Sequence, residues 1–326
     1  MSETTSVWQR SNRDKFTILW GRYSTVAILV LMIAVFSLVE PIFMSGRNML
    51  QIVDQGSVTI LLACGEFFAI LLAGIDLSVG SVMALSGVIT AQLIGTGLPW
   101  PMAMLMGVLS GGLAGFLNGL LISATKLPPF IITLGTMAIL RGTTWVLSNA
   151  RAVPVSNAMY SRVISGRLFT VVPTSLILIL ILAGFLIFFT TRTKAGRNLY
   201  AMGGNPQAAW YAGINITRHT LLAFTISGIC AALAGAVNIA RLGSAEPNAG
   251  TGYETYAIAA VIIGGTSFFG GEGVIWKVLV GGLIIATINN GLNMVGVSAY
   301  YQQIAMGALI ILAVTLDRFF GPRSGR

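Results

Sequence analysis

Apolar runs punctuate the chain near residues 24–43, 57–74, 78–95, 101–123, 129–147, 171–190, 221–241, 254–270, 274–295 and 300–317. Several approach the roughly 20 residues that a bilayer core requires. The pattern predicts an all-α integral membrane protein with about ten transmembrane helices. Two divisions are weak. Glycine-rich breaks at Gly74-Ile75-Asp76-Leu77-Ser78 and from Gly264 to Gly273 separate short apolar halves. Each reads either as a tight turn at a membrane face or as a re-entrant break, so nine or eleven spans stay open. Non-helical backbone at membrane depth is tolerated only where protein or trapped water satisfies it.

The longest polar interval is the island Thr191 to Thr220. Its centre predicts a short helix: Asn205 can cap it, and Pro206 suits a first turn that needs no amide donor. Gln207, Ala208, Ala209, Trp210 and Tyr211 continue it, and Gly213 can end it. At about two turns it is too short to be stable alone in water. Its alanine-rich surface suits a partner that approaches closely. Residues 1–22 are polar and basic, and the run after them lacks a small-residue cleavage site, so it reads as an uncleaved first span. The expected division is an N-terminal segment 1–22, a transmembrane domain 23–318 with the loop 191–220, and a tail 319–326.

Two runs carry a packing signature. Gly107, Gly111, Gly115 and Gly119 recur at every fourth position, as do Ala223, Ser227, Ala231 and Gly235. Small residues on one face let helix backbones meet closely. Packing within one subunit is the plain reading, and a homodimer seam is the sharper one.

Composition agrees with the pattern, since 55% of residues are hydrophobic and 9% charged, against roughly 25% charged in soluble domains. The net charge of +9 is explained by topology, not nucleic acid, because the cations lie between apolar runs. With ten spans and the amino terminus inside, Arg10, Arg13, Lys15, Arg22, Lys126, Arg192, Lys194, Arg197, Arg218, Lys277, Arg318, Arg323 and Arg326 fall on the cytoplasmic side. Arg47, Arg151, Arg162, Arg167 and Arg241 fall outside, and Arg141 lies within a run. That bias obeys the positive-inside rule and makes the island and both termini cytoplasmic. Cys64 and Cys230 both sit in apolar runs, which speaks against a disulfide, and the single histidine, His219, cannot build a metal site with them.

No Gly-x-x-x-x-Gly-Lys-Ser/Thr loop occurs, so the chain is not expected to hydrolyse ATP. No catalytic residue is expected either. Intramembrane charge is the more telling chemistry. Burying a charge costs about 2.5–3.5 kcal/mol on insertion scales, so Glu66 and Arg141 require a partner, a cavity or a changed protonation state. Asp76 and Glu254 lie nearer run ends, where hydration or capping explains them. Asn118, Asn289, Asn290 and Asn293 place amides in apolar runs, with Asn289 and Asn293 on one helix face and Asn290 beside it. Amides of this kind suit a neutral polyol, and interhelical hydrogen bonding is their bland alternative. Glu66, Asp76, Asn118, Asn289, Asn290 and Asn293 are the candidate pathway residues.

GIDLSVGSVMALSG at 74–87, FIITLGTMAILRG at 130–142, GRNLYAMGGNPQAAWYAGI at 196–214 and AIAAVIIGGTSFFGGEG at 257–273 resemble the sugar permeases of ATP-binding-cassette importers. The relevant branch handles ribose, xylose and allose, and the resemblance, strongest to D-allose permeases, spans about residues 24–318. It implies the vitamin B12-type (type II-like) permease architecture and a bacterial inner-membrane location. The implied partners are a second permease subunit, cytoplasmic ATP-binding subunits that hold ATP and Mg, a periplasmic sugar-binding protein and a monosaccharide. Residues 205–213 match the family's coupling helix, which docks in an ATPase groove. Residues 151–170 and 242–253 would receive the binding protein. YET at 253–255 stands where many relatives have Tyr-Glu-Leu. A proton-coupled secondary transporter, with Glu66 or Asp76 carrying the proton, is the competing reading.

Overall fold

The computed structural model describes residues 12–169 and 171–320. The first half of the N-terminal segment, Thr170 and the end of the tail lie outside the described residues, and with them Arg10, Arg323 and Arg326. All ten apolar runs fold as helices: α1 Asn12–Val39, α2 Gly46–Leu71, α3 Val79–Gly95, α4 Trp100–Thr125, α5 Pro129–Ser148, α7 Thr174–Arg192, α10 Ile216–Leu242, α11 Tyr253–Ile263, α12 Ile275–Met294 and α13 Ala299–Phe320. Three further helices lie between them, α6 Ala158–Ser165, α8 Lys194–Gly204 and α9 Pro206–Tyr211. Among the described residues, six of these helices are long and apolar enough to cross a membrane alone: α2, α4, α5, α7, α10 and α12.

Boundaries differ from expectation where polar residues face the interior. The helix α2 starts well before residue 57, at Gly46, where the Ser45 hydroxyl accepts from the Asn48 amide at 3.3 Å. Its first turns carry Arg47, Gln51, Asp54 and Gln55, which interrupt the apolar run but line a cleft. The helix α1 ends at Val39, just ahead of Pro41, as the restricted backbone before a proline favours.

The centre of the bundle is α10, which packs along α2, α3 and α4. Both small-residue faces are spent inside this one chain. Gly111 meets Ala232 and the Gly228 carbonyl, Gly119 meets Leu221, and Gly235 meets Met83 and Ser86. The intrasubunit reading of the glycine stripe is the one that the structure realises. Cys64 and Cys230 are free and fully buried, and Gly65 closes on Cys230. Large apolar side chains on α1, α4, α5, α7 and α13 point outward.

At one end of the bundle lie α8 and α9. The Thr193 hydroxyl caps α8 by accepting from the Gly196 amide at 3.0 Å. The Tyr200 hydroxyl donates to the Gly273 carbonyl at 2.9 Å, and burial raises the pKa of this phenol above its ordinary value, so it remains a donor. His219 is buried, and its Nδ1 donates to the Asn215 carbonyl at 2.7 Å. Its Nε2 is thereby left to accept from Asn198 Nδ2 at 3.1 Å.

At the opposite end, β1 Val153–Pro154 pairs antiparallel with β4 Ser244–Ala245, and β2 Arg167–Leu168 with β3 Val172–Pro173. The first pairing ties together the two segments expected to receive a binding protein. The helix α6 is anchored there by Tyr160, fully buried, whose hydroxyl donates to the Ala236 carbonyl at 2.8 Å.

Both glycine-rich divisions are genuine interruptions. The Gly271 amide donates to the Leu71 carbonyl at 2.9 Å, which places the 264–274 break beside the end of α2 and next to α8. The helix α11 is therefore only 11 residues long, about 16 Å against a core of about 30 Å. It was expected to continue to residue 270. Positive φ at Gly265, Gly270 and Gly271 ends it instead, a backbone region open to glycine at no steric cost. The other break turns back into the bundle. The Asp76 amide donates to Glu66 Oε1 at 3.0 Å, and Glu66 stands about 7.5 Å up α2 from Leu71 at 1.5 Å per residue.

Candidate functional site

The two interrupted helices, α3 and α11, begin inside the bundle and face one another. Gly80 and Gly250 bring their backbones into direct contact: a Cβ on Gly80 would strike the Gly250 carbonyl and come within 2.9 Å of Glu254 Oε2. Residues 246–252 therefore descend from the β1–β4 pairing to the first turn of α3. Such a descent exposes carbonyls at membrane depth, and Arg141 supplies their donor. Its Nη1 donates to the Pro247 and Ala249 carbonyls, each at 2.7 Å. The guanidinium also lies close enough to Glu254 to feel its charge. Arg141 and Glu66 find separate partners, the first the Pro247 and Ala249 carbonyls and the second the Asp76 amide.

The break at 72–78 is held by a buried polar network. Glu66, Asp76, Ser78 and Asn118 are all within 1% of complete burial. Asp76 Oδ1 accepts from the Ser78 amide at 3.0 Å and the Ser78 hydroxyl at 2.6 Å, and Oδ2 accepts from the Ser227 hydroxyl at 2.8 Å. Asn118 Nδ2 donates to Ser78 Oγ at 2.8 Å. The Thr133 hydroxyl donates to the Ile75 carbonyl at 3.0 Å and accepts from the Leu77 amide at 3.2 Å. Asp76 does not cap α3, whose N-cap is Ser78; it is a fully buried acceptor that fixes the turn just ahead of the helix, where hydration or capping was expected. Glu66 Oε2 and Asn118 Oδ1 have no hydrogen-bond partner.

Two cavities flank the re-entrant segment, and Thr251 lines both. The larger, about 730 Å³, lies among α2, α11, α12 and α13 and is lined by Gln51, Asp54, Gln55, Thr59, Arg241, Tyr253, Tyr256, Asn289, Asn293 and Gln302. Amides dominate it. Gln302 Nε2 donates to Asn293 Oδ1 at 2.7 Å, and the Ser175 hydroxyl donates to Asp54 Oδ1 at 2.9 Å. Tyr253 and Tyr256 meet edge to face with ring centroids 5.7 Å apart. The smaller cavity, about 610 Å³, opens beside α5 and is lined by Ser81, Met137, Ala138, Arg141, Trp145, Asn248, Thr251 and Glu254.

The structure thus sorts the candidate pathway residues. Asn289 and Asn293 line the larger cleft. Glu66, Asp76 and Asn118 belong to the network beneath α3. Asn290 points elsewhere and exchanges two hydrogen bonds of 3.0 Å with Asn48. The tyrosines of α11 and the glutamines of α2 were missed because nothing local marks them, whereas Arg141 in an apolar run was the available sign of the smaller cavity.

At the other end, α9 forms as the caps predicted. Asn205 Oδ1 accepts from the Ala208 amide at 2.9 Å, Pro206 opens the helix, and Gly213 takes a φ of +81° after it. Ala209, expected on the outer surface, is buried against its own chain, because the helix turns that face inward. Gln207, Ala208, Trp210 and Tyr211 face outward instead, with Tyr211 82% exposed.

The family described as branched-chain amino acid transport system / permease component matches residues 48–314. The chain is 51% identical over 323 residues to the D-allose transport system permease protein of Escherichia coli K12, covering 98% of this chain and 99% of that one. It is 40% identical over 299 residues to the ribose import permease protein of Haemophilus influenzae, covering 90% and 92%. It is 36% identical over 285 residues to the fructose import permease protein of Rhizobium meliloti, covering 85% and 79%. No solved structure matches it.

Proposed function

The chain belongs to the branched-chain amino acid transport system / permease component family, and from that premise we propose that it is the membrane-spanning subunit of a binding-protein-dependent importer of a monosaccharide, D-allose or a close relative. It is a non-catalytic subunit, and ATP with its Mg is hydrolysed by separate cytoplasmic subunits. The observation that carries the reading is the match of nearly the whole chain to sugar permeases, joined to a cleft of amides and tyrosines around Asn289 and Asn293. A neutral polyol is held by hydrogen-bonding groups that carry no charge of their own, which the cleft's amides and tyrosines supply beside its arginines and Asp54.

The bundle takes the vitamin B12-type permease architecture and works as a homodimer. The end bearing α8 and α9 faces the cytoplasm with both termini, following the positive-inside bias. The β1–β4 end, with residues 151–170 and 242–253, meets the sugar-binding protein. The helix α9 docks in an ATPase groove. Its exposed Trp210 and Tyr211, with ring centroids 5.0 Å apart, offer the aromatic anchors that dominate binding energy at interfaces. Asn205, Pro206, Ala209 and Gly213 set the helix's shape, and Gln207 and Ala208 complete the contact. Nucleotide-driven closure of the ATPases moves α9, and through α8 it reaches the 264–274 break that Tyr200 holds.

The test is energetic. In proteoliposomes holding the permease, its ATPase subunits and the binding protein, D-allose uptake should require ATP and survive a protonophore. Uptake that persists without the ATPase subunits and collapses with the protonophore would establish the proton-coupled alternative. Trp210→Ala with Tyr211→Ala should abolish ATPase association and uptake while the subunit stays in the membrane. Unaltered association would refute the docking of α9.

A further inference from the structure

The cavity beside α5, where α3 and α11 begin, combines features that a solute route requires and that packing alone does not explain. Ser81, in the first turn of α3, is 1% exposed, lines this cavity, and its hydroxyl has no hydrogen-bond partner. A buried hydroxyl left unmet costs about 1–3 kcal/mol, so a group arriving in the cavity relieves a standing penalty. Opposite it stands Trp145, whose Nε1 donates to Asn248 Oδ1 at 3.0 Å. That bond fixes the indole with nearly half of its surface exposed. Arg141 and Glu254 contribute opposite charges, so the lining asks for no net charge on its ligand.

The surroundings argue the same way. The helix α5 is the least covered of the long spans. Arg141 on α5 and Glu254 on α11, opened onto lipid, would cost about 2.5–3.5 kcal/mol each, which a water-filled passage removes. Sites at helix interruptions near mid-membrane are a recurrent solution, because backbone groups freed by the break can bind solute.

Building on the importer reading above, we propose that Ser81, Arg141, Trp145, Asn248 and Glu254 form a transit site for a single neutral monosaccharide. The indole takes the sugar's apolar C–H face, and the Ser81 hydroxyl with the Arg141 and Glu254 groups takes its hydroxyls. The volume of about 610 Å³ lies within the range of small-molecule sites, roughly 300–1,000 Å³. The site sits on the far side of the re-entrant segment from the amide cleft, so a sugar must pass residues 248–254 to reach it.

The test uses the complete importer in proteoliposomes, with D-allose and D-ribose as probes. Ser81→Ala and Trp145→Leu should each lower ATP-driven uptake about tenfold, the loss of roughly one good contact, with ATP hydrolysis preserved. Trp145→Phe should restore most of the uptake. Wild-type uptake in both variants overturns the site. A second measurement does not depend on turnover. Ala138 is exposed at the cavity wall, and the native Cys64 and Cys230 are fully buried. Maleimide labelling of Ala138→Cys should be slowed several-fold by saturating D-allose and not by a neutral non-sugar osmolyte at equal concentration. An unchanged labelling rate overturns the site even if the variants of Ser81 and Trp145 fail to assemble. Absence of ATP-driven uptake by the wild-type complex would instead sink the importer reading, whatever the labelling shows.

Discussion

Replacing Asp76 in two ways separates a structural hydrogen-bond acceptor from a proton carrier. Its two oxygens accept three hydrogen bonds, from the Ser78 amide, the Ser78 hydroxyl and the Ser227 hydroxyl. Asp76→Ala removes both acceptor oxygens, and with them all three hydrogen bonds, from a fully buried site. The Ser78 amide cannot turn away, and an unmet buried donor costs about 1–3 kcal/mol. The two hydroxyls can rotate but have little room, so the whole change should destabilise by about 3–6 kcal/mol. Asp76→Asn behaves differently. Its remaining oxygen keeps both Ser78 donors, and its new amide faces a Ser227 hydroxyl that can reverse and accept. The cost falls to about 1 kcal/mol, one altered hydrogen bond.

Thermal unfolding of the detergent-purified subunit, followed by gel-filtration monodispersity, reads the stability difference, and reconstituted D-allose uptake reads function. The Asn variant should melt close to wild type and transport, while the Ala variant should melt far below both. If Asn is as damaging as Ala, the negative charge and not the acceptor geometry holds the break. If Asn melts normally but transports nothing, the carboxylate takes part in transport and the proton-coupled mechanism gains its carrier.

Two further outcomes follow from close contacts within the bundle. Gly111→Ala would set a Cβ 2.5 Å from that of Ala232 and 2.6 Å from the Gly228 carbonyl oxygen, where ordinary contacts are about 3.5–4.0 Å. The helices α4 and α10 must part by about 1 Å, at about 1–3 kcal/mol, and adding Ala232→Gly should recover only part of the lost melting temperature; full recovery would mean that the carbonyl contact is irrelevant. For the reciprocal amide pair, Asn48→Leu should destabilise more than Asn48→Leu combined with Asn290→Leu, with a coupling of about 0.6–1.7 kcal/mol; additive melting shifts would show that the pair contributes nothing beyond its separate residues.

What could be read from the sequence was what depends on neighbours along the chain. The cap, proline and terminal glycine of α9 lie within nine residues of one another, from Asn205 to Gly213, so local stereochemistry decides them. The ten apolar runs are likewise set by the bilayer, which imposes its thickness on each span separately. Errors arose where an interior polar surface mimics a loop, or an apolar loop mimics a helix. The start of α2 is polar because it walls the amide cleft, so its helical turns look like a connection. Residues 264–270 are apolar but follow glycines that end α11, so hydropathy overstates that helix. The direction faced by Ala209 is set by what α9 leans on, and six residues carry too little periodicity to reveal it.

The cavity beside α5 lay beyond such reading for a stricter reason. Its residues come from three separate regions, at 81, 137–145 and 248–254, and only the two interruptions bring them together. An uninterrupted α3 and a full-length α11 would satisfy their own backbones and bury no unpaired polar group. Broken as they are, they need Asp76 at one start and Arg141 across the descending carbonyls. The costly residues Asp76 and Arg141 are thus the structural requirement of the breaks. The unpartnered Ser81 hydroxyl and the exposed part of Trp145, whose Nε1 alone is engaged by Asn248, are left to meet a solute. Substituting the supporting pair should therefore register first as lost stability, and substituting Ser81 or Trp145 first as lost uptake.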